Sequence, residues 1–458
     1  MNCLSNYFVK GGIVAGIVSL APFSMYSQKA ADNQKLPNIL VILADDLGFG
    51  DLACQGAADL KTPNIDRIFS EGVRFTNFYV NSTVCSPTRA ALLSGRYPDM
   101  VGVPGVIRTH EDDSWGFLNP GVKLLPDYLK KAGYSTALIG KWHLGLEAPN
   151  LPNLRGFDHF HGFLGDMMDD YYTHLRHGNN YMRLNEEVIN PKGHATDIFT
   201  DWAVDYLESR KTDDQPFFVY LAYNAPHDPV QPPEEWIQKV RKRDAGISDK
   251  RVRLIALIEH MDYNIGRILD QIHKSGKMEN TIIVFTSDNG GVLGNMANNG
   301  PYRGGKQDMY EGGLRVPAAV MWKKRIPSGG VHNGLTVTMD LMPTLCEAAG
   351  IKTLESIDGV SFLPDIMGQR NNSDQRILYF MRREGGLKYG GLAYYAARSG
   401  DFKIVQNTPW QPMQMFNLKE DPYETNPKEI IGNKSSEELF RQLTRHIRQS
   451  GAIPWQKQ

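Results

Sequence analysis

Short runs of uninterrupted apolar residues alternate along the chain with stretches of helical periodicity and with polar, glycine-rich breaks. Residues 38–43 (N-I-L-V-I-L), 216–223 (P-F-F-V-Y-L-A-Y) and 281–286 (T-I-I-V-F-T) show no polar alternation. Such runs predict strands buried on both faces, as in a parallel sheet. A helix is predicted over 124–132, ended by Gly133 and followed by a strand over 134–139, and a short capped helix over 62–72 leads into a strand over 73–79. Helical spacing recurs over 195–207 and most clearly over 251–273, where Leu254, Leu257, Ile258, Met261, Ile265, Ile268, Leu269 and Ile272 share one face. The stretch 311–322 returns to a strand. The alternation predicts an α/β fold with a large, mostly parallel sheet sandwiched by helices.

From 150 to 193 the pattern fades into Gly, Asn, His, Asp and Tyr, which predicts a long irregular insertion that lines a site or moves. Past about 365 the strands become shorter and more polar, over 377–381, 392–397, 402–406 and 414–417, before an amphipathic helix over 436–449. This predicts a small antiparallel sheet with a helix, docked on the main domain. At the other end, Lys10, an apolar centre over 11–23 and small or polar residues to Gln28 read as a signal peptide. The expected organisation is a signal peptide over 1–28, a main α/β domain over 35–364 and a C-terminal α+β subdomain over 365–458.

At 458 residues the chain exceeds the usual size of one domain, and with 41% hydrophobic and 22% charged residues it is not disordered in general. A formal net charge of −1 supplies no global basic field, so nucleic acid is not an expected partner and an anionic substrate needs a local cluster of cations. No later apolar run reaches membrane-spanning length, so no integral membrane segment is expected after signal cleavage, and the expected location is periplasmic or secreted.

Polar residues gather where the buried strands stop. Asp45 and Asp46 follow the first strand; Lys141 and His143, in G-K-W-H-L-G, follow the strand over 134–139; His227, in N-A-P-H-D-P, follows the strand over 216–223. Ser287, Asp288 and Asn289 follow the strand over 281–286, and a glycine-rich loop then carries Lys306. Open α/β sheets bind ligands outside the carboxyl ends of their strands, so these residues are candidates for one site. Asp45, Asp46, Asp288 and Asn289 offer oxygen ligands, which suit Ca2+ or Mg2+; His143 and His227 are alternative zinc ligands, although neither forms a local pair such as H-x-x-x-H. In residues 81–96, N-S-T-V-C-S-P-T-R-A-A-L-L-S-G-R, Ser86 suits an N-cap and Pro87 a first helical position. Cys85 then lies beside unpaired N–H groups that favour an anion, and Arg89 brings a planar cation to the same spot.

The C-x-P-x-R pattern leading into A-A-L-L-S-G-R resembles the signature of type I sulfatases of the alkaline phosphatase superfamily. The pair at 45 and 46, G-K-W-H-L-G from 140, A-P-H at 225–227, S-D-N-G from 287, the Lys of Y-R-G-G-K and E-G-G-L-R-V-P from 311 stand in the family's order. M-F-N-L-K-E-D-P-Y-E-T-N looks like its closing motif, with a mild departure at the final N-P. The resemblance implies an alkaline-phosphatase-like fold and oxidation of Cys85 to formylglycine by a formylglycine-generating maturation enzyme. It implies a cation, Ca2+ or alternatively Mg2+, held by Asp45, Asp46, Asp288, Asn289 and an oxygen of modified Cys85. Arg89, Lys141 and Lys306 would bind the sulfate, one hydroxyl of the hydrated aldehyde would attack sulfur, His227 would protonate the departing alcohol, and His143 would take the proton from the second hydroxyl. With Cys85 so used, only Cys54 and Cys346 are left to pair.

The implied activity is hydrolysis of sulfate monoesters, with sulfated carbohydrates such as glycosaminoglycan oligosaccharides as the expected substrates. His174, Arg176 and His177 in the insertion, and Arg108 with His110, are expected contacts to a uronate carboxylate or a neighbouring sulfate. A phosphatase or phosphodiesterase of the same superfamily would carry Ser or Thr at position 85 and usually two zinc ions. A phosphonate monoester hydrolase would share the formylglycine, and a catalytically silent glycan-binding protein would lack it.

Overall fold

All seven residues of the first strand, Asn38–Ala44 (β1), are buried, and they feed two cores in alternation. Ile39, Val41 and Leu43 face one, while Leu40, Ile42 and Ala44 face the other. Such a strand has no solvent face, so it demands neighbours on both edges and helices above and below. In a computed structural model that describes residues 35–352, 354–369, 376–384 and 390–457, it has both. The predicted signal peptide lies outside the described residues.

The large sheet adds Val73–Phe75 (β2), Ser135–Lys141 (β3), His159–Phe163 (β4), Met182–Leu184 (β5), Glu187–Val188 (β6), Phe217–Ala222 (β7), Thr281–Ser287 (β8), Ala318–Met321 (β9) and Gly330–His332 (β10). Their spatial order is β10-β2-β9-β8-β1-β7-β3-β4-β5-β6. The central run from β8 to β4 is parallel, and antiparallel pairings flank it on both sides, through β9 and β2 at one margin and β5 and β6 at the other. One face is covered by helices Pro63–Glu71, Ala195–Ser209, Glu234–Arg243 and Asp249–Lys274, the other by Cys85–Ser94, Leu125–Lys131 and Leu341–Ala348.

The expectation of an irregular stretch over 150–193 is corrected here, because this segment supplies β4, β5 and β6 to the sheet margin. Its strands escape an apolar-run criterion because they alternate: Phe160 and Phe163 are buried beside partly exposed His159 and His161, and the His161 ring stacks on Trp202. Helix Glu234–Arg243 was not expected either, since only Ile237 and Val240 are buried among its charged residues. Residues 73–79 form two short strands, Val73–Phe75 and Phe78–Tyr79, where one was expected; the second pairs with Thr336–Val337.

A five-stranded antiparallel sheet follows, Ile377–Arg383, Ala393–Ser399, Phe402–Gln406, Gln414–Asn417 and Lys428–Glu429 in spatial order. Leu378, Phe380, Ala396, Val405 and Phe416 join the first core of the large sheet, whereas Ala397, Ile404 and Met415 pack on Leu439 and Leu443 of helix Lys434–Ser450. Asn433 caps that helix by accepting from the N–H groups of Ser435 and Ser436. Leu36–Gln458 is one compact unit.

A buried ionic tie joins the two sheets. Lys403 Nζ reaches Glu311 Oε1 at 2.9 Å and Glu424 Oε1 at 2.8 Å, and the Glu311 N–H donates to Glu424 Oε2 at 2.6 Å. Burial pushes Glu311 up, but Lys403, Arg398 and Arg315 outweigh it and hold its carboxyl at about 2. A carboxylate held below its ordinary value of 4.5 contributes stability that is complete above that value and lost as pH falls towards 2. Replacing Lys403 with Met leaves two buried carboxylates facing each other, which costs about 3–5 kcal/mol. The expected result in guanidinium unfolding is a loss of that size at pH 7 and an acid-unfolding midpoint moved to higher pH; an unchanged midpoint contradicts it.

Candidate active site

Parallel pairing of β1 with β8 sets Ala44 beside Ser287, so the residues after both strands leave the sheet at one level. The Asp288 N–H donates to the Ala44 carbonyl at 3.1 Å, and the Asp46 N–H donates to Asp288 Oδ1 at 3.2 Å. Ser287 Oγ accepts from the Leu47 N–H at 2.9 Å and donates to the Asn289 carbonyl at 2.9 Å. Asn289 Nδ2 donates to Asp46 Oδ1 at 2.7 Å, while Asn289 Oδ1 is buried with no partner. Asp46 adopts φ 68°, a left-handed conformation uncommon outside glycine, which turns the chain sharply at the strand exit.

The segment after Asn289 passes tightly under a second turn. A Cβ on Gly290 would lie 1.9 Å from the Gly312 carbonyl oxygen, so only glycine lets these backbones meet. This approach brings in the loop that carries Lys306. Its N–H donates to the Gly291 carbonyl at 3.0 Å, and its Nζ reaches Asp46 Oδ2 at 2.8 Å.

Helix Cys85–Ser94 enters from the other side, every residue of it buried. It begins at Cys85 with Val84 as N-cap, two residues earlier than the Ser86 cap expected from sequence. Ser86 Oγ is used elsewhere, accepting from the Ile107 N–H at 3.0 Å. Cys85 Sγ lies 3.5 Å from Asp45 Oδ1. Fully buried Arg89 holds Asp288 Oδ2 through Nη2 at 2.7 Å and Nε at 3.2 Å, and its Nη2 lies 3.3 Å from Asp45 Oδ2. Lys141, the last residue of β3, reaches the same Asp45 oxygen.

Two histidines complete the cluster. His227 Nδ1 lies 2.8 Å from the Asp228 carbonyl, which can only accept, so Nδ1 carries the hydrogen and Nε2 points towards Asp46 Oδ2 at 3.5 Å. His143 Nε2 likewise donates to the Ile107 carbonyl at 2.9 Å, leaving Nδ1 as a buried lone pair with no partner. Burial, then Lys141 and Arg89, holds His143 well below its ordinary value, so the ring stays neutral. Burial also lowers His227, with Lys306 adding to the effect.

Burial raises the Cys85 thiol well above its ordinary range despite the opposing pull of Lys306 and Lys141, and Asp45 and Asp288 add to the rise. A thiol so placed remains protonated and is a poor nucleophile. Burial raises Asp45 too, but Lys141, His227 and Arg89 together hold it well below the usual carboxylate range. Burial and the charge of Asp45 push Asp288 up to about 7.

Direct contacts therefore gather Asp45, Asp46, Cys85, Arg89, Lys141, His227, Asp288, Asn289 and Lys306 in one pocket, with His143 two residues beyond Lys141 and anchored to Ile107. Ligand atoms of Asp45, Asp46, Cys85 and His227 lie within 4.8 Å of one another. The donors suit a hard divalent cation: the carboxylates of Asp45, Asp46 and Asp288 are buried together, and Asn289 Oδ1 is a buried acceptor with no partner. Cys54 and Cys346 are both free, one exposed and one in the core.

The outer contacts turn out differently. His174 is buried with Nε2 on the Gly193 carbonyl at 3.0 Å, and Arg176 is held by Asp166 and Asp169, so both shape the insertion from within. His177 and His110 remain exposed, with ring centres 4.8 Å apart, and Arg108 Nη2 meets Glu384 Oε2 at 2.9 Å. Sequence reasoning missed Ser287 and the Ile107 carbonyl as supports; nothing local in the chain marks a backbone oxygen for such a role.

Fully buried Arg89 and Lys141 and partly exposed Lys306, gathered beside a helix N-terminus, suit a tetrahedral anion. Residues 37–351 match the family model described as sulfatase, and residues 304–452 match that of the N-sulphoglucosamine sulphohydrolase C-terminal region. An N-acetylgalactosamine-6-sulfatase of Canis lupus familiaris is 33% identical over 77% of this chain and 70% of its own length. The structure of Ps i-CgsB in complex with k-i-k-neocarrahexaose aligns with TM-score 0.83 and 30% identity, covering 92% of this chain and 95% of its own. BT4656 in complex with its substrate D-glucosamine-2-N,6-O-disulfate aligns with TM-score 0.73 and 25% identity, covering 91% and 98%. The chain belongs to the sulfatase family and is a sulfuric ester hydrolase.

Ser287 is the test of how this pocket is held. Replacing it with Ala leaves the buried Leu47 N–H without its acceptor, which costs about 1–3 kcal/mol. Denaturant unfolding is expected to show that loss, because the Asp46 and Asn289 segments lose their common fastening; a midpoint equal to the wild type's contradicts it.

Proposed function

We propose that this enzyme is an exported sulfatase that removes sulfate from carbohydrates, glycosaminoglycan oligosaccharides foremost. Cys85 would be converted by a maturation enzyme to formylglycine, and Asp45, Asp46, Asp288 and Asn289 would hold Ca2+, with Mg2+ the alternative. The observation that carries the reading is the charge balance of the pocket. Asp45, Asp46 and Asp288 are matched by Arg89, Lys141 and Lys306, three against three, so a bound divalent ion leaves a local excess of two positive charges for an anionic ester. The sugar substrates rest on the relatives, among them the N-acetylgalactosamine-6-sulfatase and the glucosamine disulfate complex. Among the described residues no helix is long and apolar enough to cross a membrane.

When present, the hydrated aldehyde supplies an oxygen nucleophile for sulfur, and the cation draws charge from it and from the sulfate oxygens. The chain's own side chains carry the remaining work. Arg89, Lys141 and Lys306 bind the sulfate oxygens and absorb charge as the S–O bond breaks. In its doubly protonated form, with Nδ1–H committed to Asp228 and Asp46 close enough to stabilise the charge, His227 delivers the Nε2 proton to the departing alcohol and returns to the neutral ring. His143 is kept neutral and presents its Nδ1 lone pair as the base that later takes a proton, releasing sulfate.

Mass spectrometry of the peptide containing Cys85 is expected to find an aldehyde in place of the thiol, and an unmodified thiol in active native enzyme overturns the reading. Arg89→Lys is expected to lower kcat for sulfate release by about 10²–10³-fold, the usual loss when a charge-stabilising donor is removed. Dialysis against a chelator should abolish turnover and lower the unfolding temperature, and Ca2+ should restore both. Release of sulfate from defined sulfated mono- and disaccharides tests the substrate class; cleavage of phosphonate esters alone would replace it.

A further inference from the structure

We infer that Tyr171, in the insertion between β4 and helix Ala195–Ser209, is a positioning residue that sets the aim of His227 by clamping the turn on which it sits. The inference rests on the reading of His227 as the general acid of a sulfatase. The turn follows β7 and is closed by the His227 N–H on the Asn224 carbonyl at 2.9 Å. Tyr171 is fully buried, and its hydroxyl lies 2.8 Å from the Asn224 carbonyl and 3.0 Å from the His227 carbonyl, so one O–H spans both ends of the turn.

The tyrosine is itself fixed on several sides. Its N–H donates to Gln231 Oε1 at 2.8 Å, its carbonyl accepts from the Ala195 N–H at 2.8 Å, and its ring stacks on His194 with centres 4.9 Å apart. His194 in turn contacts the Gln231 carbonyl through Nε2 at 2.9 Å, closing a ring of contacts behind the phenol. On the far side of His227, Asn295 Nδ2 donates to Asp228 Oδ1 at 2.7 Å, steadying the residue whose carbonyl holds Nδ1. Burial raises the phenol well above its ordinary value, with Asp45 and Asp46 adding to it, so the hydroxyl stays a donor across the working pH range.

A general acid works only if its proton lies in line with the leaving oxygen, and a misplacement of about 1 Å can cost about 10²-fold. Tyr171 contacts no reacting atom, so its removal should matter only where His227 matters. Alcohols that leave as stable anions need little protonation, whereas poor leaving groups need the acid.

The test is a series of aryl sulfates running from nitrocatechol sulfate to phenyl sulfate, assayed with the matured enzyme and with Tyr171→Phe, His227→Ala and the double variant. Tyr171→Phe keeps the ring stack. It is expected to lower kcat on phenyl sulfate by about tenfold or more with little change in KM, to leave nitrocatechol sulfate within about twofold, and to add nothing in the His227→Ala background. Gln231→Leu, at a half-buried site, should show the same trend more weakly, and it carries the test if Tyr171→Phe does not fold. An equal loss across the series, or a further loss in the His227→Ala background, overturns the positioning role while the sulfatase stands. A His227→Ala enzyme whose rates depend on the leaving group no more steeply than the wild type's overturns the general-acid reading beneath it and the role together.

Discussion

Three carboxylates, Asp45, Asp46 and Asp288, are buried at the ends of two adjacent strands, and this is the constraint to which the rest of the molecule answers. Isolated buried carboxylates are prohibitively unfavourable, so positive charge must reach the same spot from elsewhere. It comes from three separate segments: Arg89 from a helix, Lys141 from the end of β3 and Lys306 from a glycine-rich loop. None of these can move far without leaving an acid unpaired in a dry interior. The pocket is therefore a condition of folding as much as a product of it, and its charges are preorganised before any substrate arrives.

The second sheet belongs to the same logic. The loop that carries Lys306 is braced from the C-terminal region, since Asn407 Oδ1 accepts from the Met309 N–H at 2.6 Å and Asn407 Nδ2 donates to Asp308 Oδ1 at 2.9 Å. Arg303 donates to the Glu424 carbonyl at 2.8 Å, and Lys403 holds Glu311 just beyond the loop. Gln307, with φ 79°, receives Arg382 on its carbonyl and donates its N–H to the Thr83 carbonyl, two residues before Cys85. The C-terminal region thus acts as a clamp on the loop of Lys306 and on the entry to the cysteine helix.

The legible part of this arrangement follows from strand exits. A buried parallel strand is a strong local signal, and the residue after it has little choice but to sit at the carboxyl edge, so Asp45, Lys141, His227 and Asp288 were placed by position alone. Cys85 and Arg89 came from a dense motif, and Lys306 from order within a family pattern. The misses share one physical cause. β4 alternates histidine with phenylalanine, and its stability comes from partners such as Trp202 that the local sequence does not name. Tyr171, Ser287 and the Ile107 carbonyl act through hydrogen bonds to backbone groups, which any residue can offer. His174 and Arg176 looked like substrate contacts because their chemistry is right, but nearby acids and carbonyls consume them.

Backbone conformation bears on what the site can do. Asp46 and His143 both lie in the left-handed region, at φ 68° and 60°, each at a cost of about 1–3 kcal/mol that a well-packed surround must offset. The surround is available because both follow strands that are buried at their carboxyl ends and are tied to neighbouring segments by hydrogen bonds. Held this way, His143 keeps one nitrogen on a carbonyl and the other unpaired, and Asp46 turns its carboxylate to Lys306, Asn289 and His227 together. Cys85 is the exception in this field: burial, with Asp45 and Asp288 adding to it, opposes the thiolate in spite of Lys306 and Lys141, so as a cysteine it stays uncharged. Under the conversion proposed for Cys85 the inertness of the thiol carries no penalty, because an oxygen nucleophile at that position needs no thiolate and gains from Arg89, Lys141 and Lys306 around it.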